Sequence, residues 1–182
     1  NRQRMLTAVC MAGARQIEPD LSFLSSSGYL ESTSGLRSPY ALILPSSSAA
    51  GSVRRWPIEN YIKIAEALNN EGFQPVLSGT EIDRPITSEI AAACNECLDL
   101  TGAPNLFLLA ELALGSSIVI GNDTGPVFLA ARLNVPTVML MGADTDASMS
   151  APYGEKARWM QKDRLDQLSF DEVWETVKVA LE

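Results

Sequence analysis

Short apolar runs separated by single amphipathic segments constrain the fold of this chain more than any other feature. The runs are Tyr40 to Pro45, Gln74 to Ser78, a short one near Leu98 to Leu100, Ser117 to Gly121 and Val135 to Met141. Ala157 to Met160 is a sixth candidate. Between the first two runs Pro57 opens a helix, where its missing N–H costs nothing. Tyr61, Ile62, Ile64, Ala65 and Leu68 fall on one face of it, and Gly72 is placed as its C-cap. Further helices are expected from Pro85 to Cys94, from Leu106 to Leu114 after an Asn105 N-cap, and from Gly125 to Leu133. A last one runs from Phe170 to Leu181 after a Ser169 N-cap. Continuous apolar runs, in place of alternation, belong to strands buried on both faces. With one helix between successive strands, the expected class is α/β: a Rossmann-like open parallel sheet of about six strands with helices on both faces. Ligands of such sheets gather beyond the carboxyl ends of the strands, so the residues after each run become the candidates.

Residues 1–39 follow a different grammar. One helical stretch, Arg2 to Met11, precedes a Ser/Gly-rich connection that includes Ser25-Ser26-Ser27-Gly28. We therefore divide the chain into 1–39, a leading segment and linker, and 40–182, the α/β domain. The 182 residues are 46% hydrophobic and 20% charged, which is the composition of a globular protein. No run reaches the roughly 18 apolar residues needed for a membrane span, and no signal-peptide pattern opens the chain, so a cytoplasmic location is expected. A formal net charge of −8 argues against a general nucleic-acid partner and makes any clustered cation informative. Cys94 and Cys97 have CxxC spacing, yet with no histidine and only Cys10 besides, a zinc site is not supported. Incidental cysteines near a helix end are the simpler reading than a redox pair. Asp144 and Asp146 are read as solvated loop carboxylates, and no metal site is expected.

The junction Gly121-Asn122-Asp123-Thr124-Gly125-Pro126 joins a strand directly to a helix. Its glycines clear the approach to the backbone, and the amides of Thr124, Gly125 and Val127 are expected to face an anion at the positive end of the helix. The competing reading is a capped helix start, with Asp123 or Thr124 satisfying those N–H groups. Two other post-strand segments point to the same edge. Pro45 to Pro57 carries Ser46, Ser47 and Ser48 and then Arg54 and Arg55, a pairing of small hydroxyls with guanidinium groups that suits phosphate. Ser78-Gly79-Thr80-Glu81 offers Glu81 as an acceptor for sugar hydroxyls.

In this order and spacing, Ser47/Ser48, Arg54-Arg55-Trp56-Pro57, Leu77 to Glu81 and Gly121 to Pro126 resemble glycosyltransferase family 9, the heptosyltransferases. Pro19 to Ser22 and Pro152-Tyr153-Gly154 fit the same pattern, so the resemblance runs from about Pro19 to Gly154. It implies the C-terminal half of a two-domain GT-B enzyme. That half binds the nucleotide-sugar donor, with ADP-heptose as the family's donor, and the acceptor is a lipid-linked saccharide of lipopolysaccharide core or a related glycan. On this pattern Ser47, Ser48 and Arg54 contact the donor phosphates, Glu81 the ribose, Thr124 and Gly125 the phosphates through their amides, and Asp123 the sugar. No cofactor or metal is implied. The catalytic base belongs to an N-terminal domain of which 1–39 would be the end, so this chain alone is not expected to catalyse transfer. The expected location stays cytoplasmic, with a peripheral position at the inner membrane compatible with it. The sequence departs from the family in having Phe128 where a histidine is usual, and Leu44-Pro45-Ser46 in place of histidine-proline-glycine. A noncatalytic nucleotide-sugar-binding module is the alternative function. A dinucleotide-dependent enzyme is disfavoured, since no G-x-G-x-x-G follows the first strand.

Overall fold

The computed structural model describes residues 10–13, 20–25, 28–30, 33–46, 55–103 and 105–182. Six parallel strands form one sheet in the order β3-β2-β1-β4-β5-β6. They are β1 (Tyr40–Leu44), β2 (Gln74–Leu77), β3 (Leu98–Asp99), β4 (Ile118–Asn122), β5 (Thr137–Gly142) and β6 (Ala157–Lys162). The helices are α1 (Ile58–Asn70), α2 (Arg84–Ala93), α3 (Leu106–Gly115), α4 (Gly125–Arg132), the short α5 (Ala147–Ser150) and α6 (Phe170–Leu181). The expected open parallel sheet of about six strands is therefore the observed one.

Every residue of β1, β2, β4 and β5 is buried, which is why these strands read as unbroken apolar runs. Their side chains divide between two cores. Ala41, Ile43, Ile118 and Ile120 pack with Tyr61, Ile64, Ile90, Val173 and Val177 of α1, α2 and α6. Tyr40, Leu42, Leu44 and Val119 pack on the other side with Leu112, Val127 and Ala130 of α3 and α4. Burying one such large aliphatic side chain contributes about 1.5–3 kcal/mol, so neither face can be left bare.

Helix ends are set by local chemistry. Gly72 adopts φ +86° after α1, its N–H reaching Asn69 O at 3.0 Å while Phe73 N–H reaches Leu68 O at 3.0 Å. That paired closure needs a left-handed residue, as expected for this glycine. Asn105 Oδ1 accepts from Leu108 N at 2.9 Å to start α3, and Ser169 and Glu172 form a reciprocal capping box on α6.

The predicted helix at Arg2 to Met11 lies almost wholly outside the described residues. From Leu24 onward the described part of the leading segment is fastened to the domain instead of trailing from it. Leu24 is buried, and the buried Glu111 of α3 accepts from Gly28 N at 2.9 Å and Leu30 N at 2.8 Å. Gln74 similarly accepts from Arg37 N at 2.7 Å. Composition alone suggests a loosely structured linker here; a carboxylate 81 to 83 positions away supplies the missing order. Among the described residues no helix is long and apolar enough to cross a membrane.

Candidate functional site

The strand order reverses direction of growth between β1 and β4, so the crevice beyond their carboxyl ends is the place where an open α/β sheet takes its ligand. The segments after β1, β2, β4 and β5 all emerge at this edge. At the end of β4, Asp123 N–H extends the ladder by donating to Leu140 O at 3.0 Å. Thr124 then turns outward with φ −142° and ψ 156°, and α4 begins.

The helix start carries no side-chain cap. Thr124 Oγ1 donates back to Asn122 O at 3.3 Å, and the Asp123 carboxylate is engaged elsewhere. Val127 N–H and Phe128 N–H both turn to Thr124 O, at 3.0 and 3.2 Å. The expectation that Val127 presents its amide to a ligand is thus corrected: the first turn of the helix uses it. Two adjacent N–H groups, those of Thr124 and Gly125, have no acceptor among the described residues. They lie at the positive end of the α4 dipole and can meet two oxygens of one anion.

The two glycines of the turn have different reasons. A Cβ on Gly121 would stand 2.5 Å from Leu44 O and 2.8 Å from Val127 Cγ2, so this glycine lets β1, β4 and α4 close together. Clearance for a ligand, expected at both, applies only to Gly125, where a Cβ would meet nothing within 4 Å.

Asp123 is half-buried beside the free amides. Its Oδ2 accepts from Thr145 Oγ1 at 2.5 Å, which leaves Oδ1 for a hydroxyl donor. Thr145 is held in turn by Gln161 of β6, whose Nε2 donates to Thr145 O at 2.6 Å and Gly142 O at 2.9 Å. A chain of contacts from the edge strand therefore orients the carboxylate. Asp146 caps α5 by accepting from Ser148 N at 2.9 Å. Among the described residues no three His, Cys, Asp or Glu side chains are grouped so as to hold a metal ion.

Glu81 follows β2 by four residues, and β2 itself lies two strands from β4, about 10 Å across the sheet. Arg84 grips it from the side, Nε to Oε2 at 2.7 Å and Nη2 to Oε1 at 2.6 Å, and also donates to Thr101 O at 2.7 Å. These hydrogen bonds hold the carboxyl below the usual carboxylate range. The space is made by Gly102, whose Cβ would overlap Glu81 Oε1 at 1.9 Å. Each Glu81 oxygen keeps a lone pair for a further donor.

Ser47, Ser48 and Arg54 lie outside the described residues. Their described flanks are Ser46, just after β1, and Arg55, just before α1. Arg55 Nε is buried without a hydrogen-bond partner, and Arg55 lines a cleft of 420 Å³ together with Pro45, Trp56, Pro57, Ile58, Ile86 and Asp166. The CxxC cysteines are unreactive by environment: Cys94 is buried, and burial pushes the Cys97 thiol up to about 12. Asn122, Thr145, Gln161 and Arg84 are the site residues that the sequence reading missed. Only Arg84 had a local signal, its three-residue spacing from Glu81.

Comparison with known proteins places this chain in a family. The sequence profile of glycosyltransferase family 9 (heptosyltransferase) matches residues 2–177. Lipooligosaccharide heptosyltransferase 2 of Haemophilus influenzae is 34% identical over 112 residues, covering 59% of this chain and 32% of that protein. Lipopolysaccharide heptosyltransferase 2 of Escherichia coli is 34% identical over 113 residues, with the same coverage. Among solved structures, the E. coli ADP-heptose lps heptosyltransferase II superposes with a TM-score of 0.75 at 27% identity, over 91% of this chain and 53% of that one. E. coli heptosyltransferase WaaC with ADP gives 0.74 at 20% identity over 91% and 51%, a likeness of fold. The alignments span about a third of the curated relatives and about half of these structures. With the profile matching nearly the whole chain, this protein belongs to glycosyltransferase family 9, the heptosyltransferases.

Proposed function

We propose that this chain is the donor-binding part of an inverting glycosyltransferase that moves a sugar, heptose in the family reading, from a nucleoside diphosphate to a hydroxyl of a lipid-linked saccharide. The observation that carries the reading is the pair of unspent amides at Thr124 and Gly125, on the switch-point edge of the sheet, with the Asp123 carboxylate beside them. A diphosphate seated there places negative charge on the α4 start as the sugar leaves, and preorganised N–H dipoles stabilise that charge most when it is fully developed. Arg54, with Ser47 and Ser48, adds positive charge and hydrogen bonds on the same oxygens. Together these groups supply the field that a metal ion supplies in other transferases. Asp123 accepts from a sugar hydroxyl, and Glu81, steadied by Arg84, accepts from the ribose.

In this reading residues 1–39 form the junction with the part of the enzyme that bears the acceptor site and the base that deprotonates the acceptor. The clamp of Glu111 on Gly28 and Leu30 supports a fixed junction. Transfer to a lipid-linked acceptor would place the enzyme at the cytoplasmic face of the inner membrane. Calorimetric titration tests the reading. ADP should bind far more tightly than adenosine, with or without EDTA, and ADP-heptose should lose affinity on Asp123→Asn while ADP does not. Equal affinity for ADP and adenosine, or an EDTA-dependent difference, would remove the claim.

A further inference from the structure

Asn122 ends β4 with its side chain completely buried, between the phosphate turn and the first helix. A buried amide must have its hydrogen-bonding capacity met, and here four partners meet it. Its Nδ2 donates to Pro45 O at 2.9 Å and Ser46 O at 3.2 Å. Its Oδ1 accepts from Trp56 N at 3.3 Å and Tyr61 Oη at 3.0 Å. Only this orientation of the amide satisfies two carbonyls on one side and two donors on the other. Burial raises the Tyr61 phenol's pKa, so the hydroxyl remains a donor at any ordinary pH.

These partners fall on two separate pieces of chain. Pro45 and Ser46 leave β1, Trp56 enters α1, and Tyr61 lies one turn inside it. Trp56 is itself fixed, with its ring edge-on to Tyr61 at 5.0 Å between centroids and its Nε1 donating to Leu168 O at 2.7 Å. Asn122 therefore closes both ends of the post-β1 segment onto the residue that immediately precedes Asp123. No other described side chain joins the edges of β1 and β4 in this way.

We infer that Asn122 is a positioning residue for the diphosphate: it locks the exit of β1 and the entry of α1 against the Asp123–Gly125 turn, so that both walls of the site keep one spacing. The inference rests on the proposed donor site. A locked spacing matters to a ligand that bridges the two walls and little to one that does not. Asn122→Ala should lower the affinity for ADP by about tenfold or more while leaving adenosine within about twofold. Tyr61→Phe removes one of the four bonds without opening a cavity, and should lower ADP affinity about threefold, again sparing adenosine. Because Tyr61 acts through Asn122, adding Tyr61→Phe to Asn122→Ala should cost no further ADP affinity.

The experiment is calorimetric titration of the 182-residue protein and its three variants with ADP and with adenosine, each variant first checked for a cooperative melt. A parallel loss of ADP and adenosine, or an additive double variant, would make Asn122 merely structural and overturn the inference. If Asn122→Ala does not fold, Tyr61→Phe decides alone: an unchanged ADP-to-adenosine ratio overturns it. Should the unaltered protein itself show no preference for ADP, the donor site is wrong, and the positioning role falls with it. That outcome is distinguishable because it appears before any substitution.

Discussion

The same methyl group added to two glycines of one turn should have opposite consequences. In Gly121→Ala the new Cβ would lie 2.5 Å from Leu44 O, 2.9 Å from Leu44 Cβ and 2.8 Å from Val127 Cγ2. Leu44 is the residue directly paired with Gly121 across β1 and β4, so the obstacle is backbone and cannot rotate aside. Ordinary carbon contacts begin at about 3.5 Å, which demands an opening of about 1 Å in a ladder buried on both faces. Overpacking of this kind costs about 1–3 kcal/mol. At about 2–4 °C per kcal/mol for a domain of this size, the melting temperature should fall by about 2–12 °C. Gly125→Ala meets nothing within 4 Å, and its stability change should stay within about 0.5 kcal/mol. Its methyl group instead intrudes where an anion approaches the two free amides. Hydrogen bonds to a charged group are worth about 1.5–3 kcal/mol, so ADP affinity should fall roughly 10- to 100-fold. Circular-dichroism melts and ADP titrations of both variants check this. A destabilised Gly125→Ala with normal ADP binding, or an unperturbed Gly121→Ala, would refute the assignment of the two roles.

Acid should loosen the carboxyl-terminal helix. Glu172 is held down to about 2 by Ser169, through its backbone N–H and hydroxyl, and by Lys162 at 3.0 Å. Its folded pKa lies below the unfolded value, so the stabilisation is present above about 4.5 and is lost as pH falls towards 2. Glu172→Gln should therefore melt below the unaltered protein at pH 6, and the gap should shrink steadily as pH falls from about 4.5 through about 2; a constant gap would contradict this. For the thiols, Cys10 is exposed whereas Cys94 is buried and the thiol of Cys97 sits near 12. At pH 8 a thiol reagent should titrate one cysteine rapidly and the other two only on unfolding, and rapid labelling of all three would show the environment of the pair to be misread.

How much could be read from sequence alone depended on how far each partner lies along the chain. The strands of the sheet announce themselves because burial on both faces leaves each of them apolar throughout, as in Tyr40 to Leu44 and Thr137 to Met141. Caps are equally legible, since Asn105, Ser169 and Gly72 act on groups within four residues. The turn at Gly121 to Gly125 was visible as a strand-to-helix junction, but its interior was not. That Asp123 does not cap the helix is decided by Thr145, 22 residues away, and Thr145 is oriented by Gln161. Asn122 looked like one more polar turn residue because its partners lie 61 to 77 positions earlier. The assignment of Gly121 to ligand clearance failed for a related reason: the crowding comes from Leu44 on a neighbouring strand, which no local pattern encodes. Glu81 was located correctly at the carboxyl edge, while Gly102, which vacates the space its carboxylate fills, belongs to a loop after another strand.

The central claim is that the amides of Thr124 and Gly125 bind the diphosphate of the donor. Titrating ADP into the nitrogen-15-labelled protein, with backbone resonances assigned, measures this directly. The largest amide shifts should fall on Thr124 and Gly125, saturating with the calorimetric affinity, while Asn134 and Gly154 at the opposite edge stay still. Saturation with ADP that leaves Thr124 and Gly125 unmoved, or that moves only the opposite edge, would contradict the account.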